Sequence, residues 1–178
     1  MGKTVCHVSK KSRVELGKNP DPNYSLIDSR SVKTTSSAQE RGYDGGKKIK
    51  GRKHHIVTDT EGHLLHVKAH AANIHDGIAG GEVIEEVMKK YPSLKGVCGD
   101  AGYRRTFEET GTKLGLIVDI VERIKDAGWM VLPKKWRVER TFSWMNIFRR
   151  LSKDYEILTS SVENMIIIAH IAILLNRL

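Results

Sequence analysis

Two short apolar runs that each end in an aspartate decide the fold: YSLID at residues 24–28 and LKGVCGD at residues 94–100. Each has the length and composition of a buried strand. Strand ends converge at one edge of an α/β sheet, so the pattern predicts that Asp28 and Asp100 lie side by side.

The segments around these runs predict a mixed sheet. HHIVTD at 54–59 and HLLHVKA at 63–69 flank a Thr-Glu-Gly turn and predict a hairpin. Apolar spacing predicts helices over 76–90, with Asp76 as its cap, and over 106–114, 134–152 and 162–178, and a further strand over 116–121. Residues 34–53 have loop composition, and residues 1–23 are predicted to be a basic tail or linker without a helix. This order predicts an α/β domain, a mixed sheet covered by helices, over 24–178.

Composition limits the classes of protein that fit. The 178 residues suit one domain, and 39% hydrophobic with 29% charged residues is typical of a folded globular chain. Two cysteines make no disulfide framework, and no secretory signal precedes them. The longest apolar run, 165–175, is shorter than a membrane span and contains His170. We expect a cytoplasmic protein without a membrane partner.

The net charge of +9 is concentrated in two segments. Residues 30–55 hold eight basic and two acidic side chains, and residues 134–153 hold seven basic side chains and Glu139. Two such segments on a nearly neutral body indicate a polyanion partner, although each by itself is also typical of a solvated basic surface.

Three carboxylates fit this setting. Asp28 and Asp100 end strands, and a helix laid on the sheet would bring Glu139 to the same point. Clustered carboxylates require a cation, and oxygen ligands with open positions suit Mg²⁺ or Mn²⁺. Two such ions support in-line phosphoryl transfer. Singly, each aspartate is also typical of a turn or helix cap; together, among basic segments, the three favour a catalytic site.

Several strings in order resemble one family over residues 24–178: IDSRSVKT (27–34), GYDGGKKIKGRK (42–53), GDAGY (99–103), VERTFSW (138–144) and RRLSKDYE (149–156). They are similar to the DDE transposases of bacterial insertion sequences, especially the group typified by insertion sequence five. The resemblance implies a ribonuclease H-like fold and two divalent ions. It assigns Asp28, Asp100 and Glu139 as catalytic residues and metal ligands.

The resemblance also implies partners: the DNA of the element ends and of the target, a homodimer on DNA, and a place at the bacterial nucleoid. The basic side chains expected to contact DNA are Arg30, Lys33, Lys47, Lys48, Lys50, Arg52, Lys53, Arg104, Lys135, Arg137, Arg140, Arg149 and Arg150.

The sequence departs from the family at a Tyr, Arg, Glu, Lys signature. Leu132, Lys135 and Asn146 stand where the related enzymes have the Tyr, Arg and Lys. On one continuous helix Arg150 would lie about 20° from Glu139 and replace the lysine as a phosphate clamp.

The second departure is upstream. Only 27 residues precede Asp28, where relatives carry a helical region that recognises terminal repeats. The chain is therefore expected to be the downstream part of a transposase, from a split reading frame or a truncation. The alternative hypothesis is a catalytically idle fragment that binds DNA.

Other candidate groups have weaker patterns. The histidines at 54, 55, 63, 66, 70 and 75 lack a cysteine pair and helical spacing, so a zinc site is not favoured. Cys98 is predicted to be a small core residue. Trp136 and Trp144 suit either stacking on an extruded base or core packing.

Overall fold

A computed structural model describes residues 2–121 and 133–176 of the chain. The helices are α1 (Gly2–Glu15), α2 (Asp76–Lys90), α3 (Thr106–Lys113), α4 (Pro133–Met145), α5 (Arg149–Ser152) and α6 (Thr159–Leu175). The strands are β1 (Tyr24–Lys33), β2 (Gly42–Asp44), β3 (Ile49–Asp59), β4 (Leu64–Ala71), β5 (Gly96–Asp100) and β6 (Ile117–Val121).

The strands form one mixed sheet in the order β4-β3-β1-β5-β6. β1, β3 and β4 are antiparallel neighbours, and β5 and β6 run parallel to β1. The short β2 pairs with the first residues of β3, beyond the end of β4. This is the predicted mixed sheet flanked by helices.

Alternating side chains of the strands divide the core between the two faces of the sheet. On one face Leu26, Ile56 and Cys98 pack with residues of α4 and α6 such as Val138 and Ile166. On the other face residues of β1, β3 and β5 pack with α2 and α3; this set includes Ile27, Val57, Val97, Ile84 and Phe107. Cys98 is 3% exposed, as predicted.

The structure corrects the prediction for residues 1–23. Residues 2–15 form helix α1, which packs on β4 and α6. Buried polar bonds hold it in place: Arg13 pairs with Asp59, and Ser12 Oγ lies 3.0 Å from His63 Nε2. The sequence did not predict this helix because polar partners distant in sequence anchor it, and these partners leave no apolar periodicity in the sequence.

Two further boundaries differ from the predictions. The segment predicted as loop over 34–53 contains β2 and the start of β3, and β1 continues five residues past Asp28. The helix predicted over 134–152 is broken, because α4 ends at Met145 and α5 begins at Arg149. The angular argument that placed Arg150 beside Glu139 is therefore wrong.

Within the described ranges, no helix combines the length and apolar character that crossing a membrane requires.

Candidate active site

Asp28 and Asp100 end up on neighbouring strands and on the same face of the sheet. β1 and β5 pair in parallel up to Leu26 and Cys98, and each strand reaches its aspartate two residues later. Because side chains alternate, both aspartates share the face on which Leu26 and Cys98 pack against α4. Both line one narrow crevice, whose walls are Leu26, Ile27, Asp28, Cys98, Gly99, Asp100 and Val138.

Local hydrogen bonds orient both carboxylates. The backbone N–H of Ser29 donates to Asp28 Oδ1 over 2.8 Å. After β5 the chain enters the 3-10 turn Ala101–Tyr103, and the N–H of Gly102 donates to Asp100 Oδ1 over 2.9 Å. A Cβ at residue 102 would lie 3.0 Å from that same oxygen, so a side chain there would displace the Asp100 carboxylate.

Glu139 lies on α4, one residue after Val138. Its side chain is exposed, whereas Val138 packs over Leu26 and Cys98. Asn146, just past the end of α4, accepts a hydrogen bond from Arg30, which lies two residues beyond Asp28 on β1. The C-terminal end of α4 therefore lies beside β1.

Carboxylate oxygens at Asp28 and Asp100 are the donor type that a hard divalent ion prefers, and they share one crevice. Among the residues that the structure describes, however, no three His, Cys, Asp or Glu side chains are gathered closely enough to hold a metal ion. The carboxylate donors therefore fit a divalent ion, and Asp28 and Asp100 are the two candidate ligands that the structure brings into one crevice.

Arg30 lies two residues beyond Asp28 on the same face of β1. Its guanidinium donates to Asn146 and to the Leu151 carbonyl, the latter over 2.8 Å, and stacks 5.2 Å from the Phe142 ring. Burial lowers the pKa of Arg30 to about 10, so it stays protonated at neutral pH. It joins β1 to α4 and α5, and its guanidinium is engaged by the protein.

A polar cluster lies on the opposite face of β1, at the start of α2. Asp76 Oδ1 accepts from Ser29 Oγ over 2.8 Å and lies 3.0 Å from Lys53 Nζ and 3.5 Å from His55 Nε2. Burial lowers the pKa of His55 to about 3, so that contact is not an ion pair at neutral pH. Burial opposes ionisation of Asp76, but hydrogen bonds from Lys53 and Ser29 bring its pKa below the usual value.

Tyr103 connects this cluster to the aspartates. Its hydroxyl lies 3.0 Å from His55 Nδ1. Burial first, and then the negative charges of Asp28, Asp76 and Asp100, raise the pKa of Tyr103 well above its ordinary value.

The sequence did not identify Asp76 as part of this region, because its setting before an apolar helix predicted a cap. The structure gives that role to His75, whose Nδ1 accepts from the Gly77 N–H. A signal in the sequence was the alternation of side chains along β3. It places Lys53 and His55, the two β3 residues that contact Asp76, on one face of the sheet.

The exposed basic residues lie near the carboxyl end of β1. Lys47, Lys48 and Lys50 are exposed at the β2–β3 turn, next to the last residues of β1 in the sheet. Exposed Arg149 and Arg150 begin α5. The two segments meet where Thr34 bridges to Asp154 and the Asp154 N–H donates to the Lys33 carbonyl. Arg104 is exposed just after Asp100, and the side chain of Lys135 lies outside the described residues, as does Leu132.

The expectation that Arg52 contacts DNA is wrong for this structure. Its side chain is completely buried, 3.0 Å from Asp154 Oδ2, and it also donates to the carbonyls of Gln39, Glu156 and Ile157. Lys53 is 7% exposed and bonds Asp76 and the Ile74 carbonyl, so it too is turned inward. Alternation along β3 takes both cations to the interior.

The tryptophans of α4 pack on an arginine of the same helix. The Arg140 guanidinium lies 4.8 Å from the Trp136 ring and 4.6 Å from the Trp144 ring, and it donates to the Glu61 carbonyl. Arg137 donates to the Thr60 carbonyl. These contacts fasten α4 to the β3–β4 turn.

The histidines considered for zinc have other partners. His63 bonds Asp59, His66 lies 3.0 Å from Glu86, and His54 lies 3.4 Å from Asp154. His55 and His70 stack with ring centroids 4.8 Å apart. Each contributes to packing or to a local polar pair.

The mixed sheet and its flanking helices define a class, the ribonuclease H-like fold. Two solved structures share the fold. The catalytic core domain of BIV integrase matches with a TM-score of 0.51 and 13% identity, over 84% of this chain and 82% of that one. The simian T-cell lymphotropic virus intasome in complex with PP2A regulatory subunit B56 gamma matches with a TM-score of 0.55 and 14% identity, over 83% of this chain and 48% of that one.

Within that class, the transposase DDE domain family matches residues 19–175, and the chain belongs to this family. A putative transposase for insertion sequence element IS402 from Burkholderia cepacia is 30% identical over an alignment of 122 residues, and the match covers 60% of this chain and 54% of the relative. The chain thus spans about half the length of that relative. It carries a transposase-type catalytic domain.

Proposed function

We propose that this chain cleaves and joins DNA at the ends of an insertion sequence of the insertion-sequence-five-like group, with divalent metal ions. The carrying observation is that Asp28 and Asp100 share one crevice, and that both exposed basic segments meet at the carboxyl end of β1, the strand that carries Asp28. A phosphodiester backbone held by those cations would lie across the carboxylates.

The charge distribution supports DNA as the partner. The turn containing Lys47, Lys48 and Lys50 is exposed, and the three cations are adjacent in the chain. Exposed cations that neutralise phosphates release counterions and draw a polyanion to the surface. The position of Arg149 and Arg150 near the same strand end extends the surface along a duplex. By analogy with the family, two copies would act together, one at each element end.

The mechanism follows from the acidic residues. Asp28 and Asp100 would hold Mg²⁺ or Mn²⁺, and Glu139 would complete the ligand set from α4. Such ions would supply activation of the attacking oxygen and stabilisation of the leaving oxygen in an in-line displacement. The protein's part is to orient the carboxylates through the Ser29 and Gly102 amides and to align the phosphodiester with its exposed cations.

One observation favours a second candidate function, a chain that binds DNA without cutting it. Glu139 does not form a three-carboxylate cluster with the aspartates in the described structure. If Glu139 does not join Asp28 and Asp100 when metal and DNA bind, the chain keeps only its basic DNA-binding surface as a functional site.

Nicking of supercoiled plasmid in Mn²⁺ or Mg²⁺ tests the proposal. We expect Asp28→Asn, Asp100→Asn and Glu139→Gln to lose nicking while retaining the circular dichroism spectrum and DNA binding by fluorescence anisotropy. The control Glu85→Gln removes an exposed carboxylate of α2 and should nick normally. EDTA should abolish the wild-type reaction.

The outcomes separate the two functions. Undiminished nicking by Glu139→Gln would remove this residue from the catalytic set. Wild-type protein that binds DNA but nicks with neither metal would establish the binding-only function.

A further inference from the structure

We propose that Asp76 is a positioning residue: its carboxylate holds β1 and the turn after β5 together beside Asp28 and Asp100. The proposal deepens the proposed function, since it concerns the same two carboxylates. Asp76 itself lies on the other face of β1, at the start of α2.

The first link joins Asp76 to β1. Its Oδ1 accepts from Ser29 Oγ over 2.8 Å, and the backbone N–H of the same serine donates to Asp28 Oδ1 over 2.8 Å. Ser29 is therefore bonded on one side by Asp76 and on the other by the candidate ligand. A shift of Asp76 would change the orientation of the amide that orients Asp28.

The second link joins Asp76 to the turn after β5. A Cβ at Gly102 would lie 3.5 Å from Asp76 Oδ2 and 3.0 Å from Asp100 Oδ1, so Gly102 lies between the two carboxylates. Gly77 also lies against this turn, because its Cβ would be in van der Waals contact with the carbonyls of Arg104 and Gly102 at 3.4 and 3.6 Å. The start of α2 thus packs directly on the turn that orients Asp100.

The third link fixes Asp76 to β3. Lys53 Nζ lies 3.0 Å from Oδ1 and also donates to the Ile74 carbonyl just before α2. This ammonium balances the charge of Asp76, which is only 23% exposed on its side chain. A carboxylate bonded from two strands and packed on the turn after a third sets the spacing of those strands.

Asp76→Asn tests the role, because it keeps the shape and removes the charge. Outer partners of metal ligands typically change metal affinity 10–100-fold when altered, so we expect Mn²⁺ affinity, measured by titration calorimetry, to fall about tenfold. A second readout needs no metal: in NMR hydrogen exchange, the Ser29 and Gly102 amides of the metal-free protein should exchange faster.

Two controls separate positioning from stability. Val87→Ala removes buried apolar contacts of α2 and lowers stability, yet it should change neither Mn²⁺ affinity nor the two amides relative to the rest of the protein. Glu85→Gln removes an exposed negative charge from the same helix and should match the wild type.

Each outcome has a meaning. Unchanged exchange at Ser29 and Gly102 in Asp76→Asn would overturn the proposal. A loss of Mn²⁺ affinity as deep as that of Asp28→Asn would also overturn it, because Asp76 would then be a ligand. Faster exchange in a protein whose wild type binds no Mn²⁺ would support the positioning role and refute the metal site of the proposed function.

Discussion

Four consecutive residues of β3 serve two ionic clusters of opposite character. Arg52 and His54 face Asp154 on the α6 side, and Lys53 and His55 face Asp76 on the α2 side. The side chains of Arg52 and Asp154 have no exposed surface, whereas that of Asp76 is 23% exposed. We call them the sealed cluster and the open cluster.

This difference in exposure suggests different roles: the sealed cluster stabilises the fold, and the open cluster supports the candidate active site. In the sealed cluster, every N–H donor of Arg52 is bonded to the protein. Its acceptors are Asp154 and three backbone carbonyls of the surrounding segments. The open cluster lies next to Ser29 of β1 and the turn after β5, and it is accessible to solvent. We therefore expect the sealed cluster to dominate stability and the open cluster to affect metal binding with a smaller effect on stability.

The largest expected effect comes from Arg52→Met. It leaves Asp154 buried without its cation, and removing one partner of a buried pair typically costs about 3–5 kcal/mol. Urea unfolding should show that loss in the free energy of unfolding. The double variant Arg52→Met, Asp154→Leu should recover a large part of it. A single variant within about 0.5 kcal/mol of the wild type would show that the sealed cluster does not hold the fold, since such a change is typical of ordinary surface sites.

The next effect is acid sensitivity. Burial lowers the pKa of His54 despite the nearby Asp154, and lowers that of His55 to about 3. The unfolded state therefore takes up these protons first. The stability from a neutral buried histidine is complete above about pH 6.5 and is lost as the pH falls, with a slope approaching about 1.4 kcal/mol per pH unit per histidine.

Urea titrations between pH 7 and 5 measure that slope. His54→Asn and His55→Asn should each flatten it, because each removes one proton taken up on unfolding. Arg52 and Asp154 face His54, and Lys53, His70 and Asp76 face His55. A wild-type stability that does not change over this range would contradict both assignments.

The smallest effect is expected for Lys53→Met. Water reaches Asp76 and Ser29 still donates to it, so losing the ammonium should cost about 1.5 kcal/mol in urea unfolding, the lower end of the range for a hydrogen bond to a charged group. A loss as large as that of Arg52→Met would erase the distinction between the clusters.

The sequence predicted the parts of this molecule that depend on local pattern. The apolar runs before Asp28 and Asp100 predicted two adjacent strands, and the parallel register of β1 and β5 shows them paired as far as Leu26 and Cys98. The predicted strand end at Asp28 is wrong, because β1 continues to Lys33. The apolar helix α6 and the β3–β4 hairpin were also predicted.

What escaped prediction depends on partners distant in sequence. Arg52 was assigned to a DNA surface because it lies in a basic run, but its counter-ion is 102 residues away. Helix α1 was missed because polar bonds, such as that of Arg13 to Asp59, anchor it. Asp76 was read as a cap because its bonds to Ser29 and Lys53 arise only after the sheet has formed.

The bond between Arg52 and Asp154 also sets an order of events during synthesis. At ~5–20 residues per second, a ribosome needs ~5–20 s to reach Asp154 after adding Arg52. Throughout that interval the Arg52 guanidinium, near the start of β3, lacks the acceptors at Asp154, Glu156 and Ile157 and stays hydrated. The antiparallel half of the sheet therefore reaches its final packing only after residue 157 has left the ribosome.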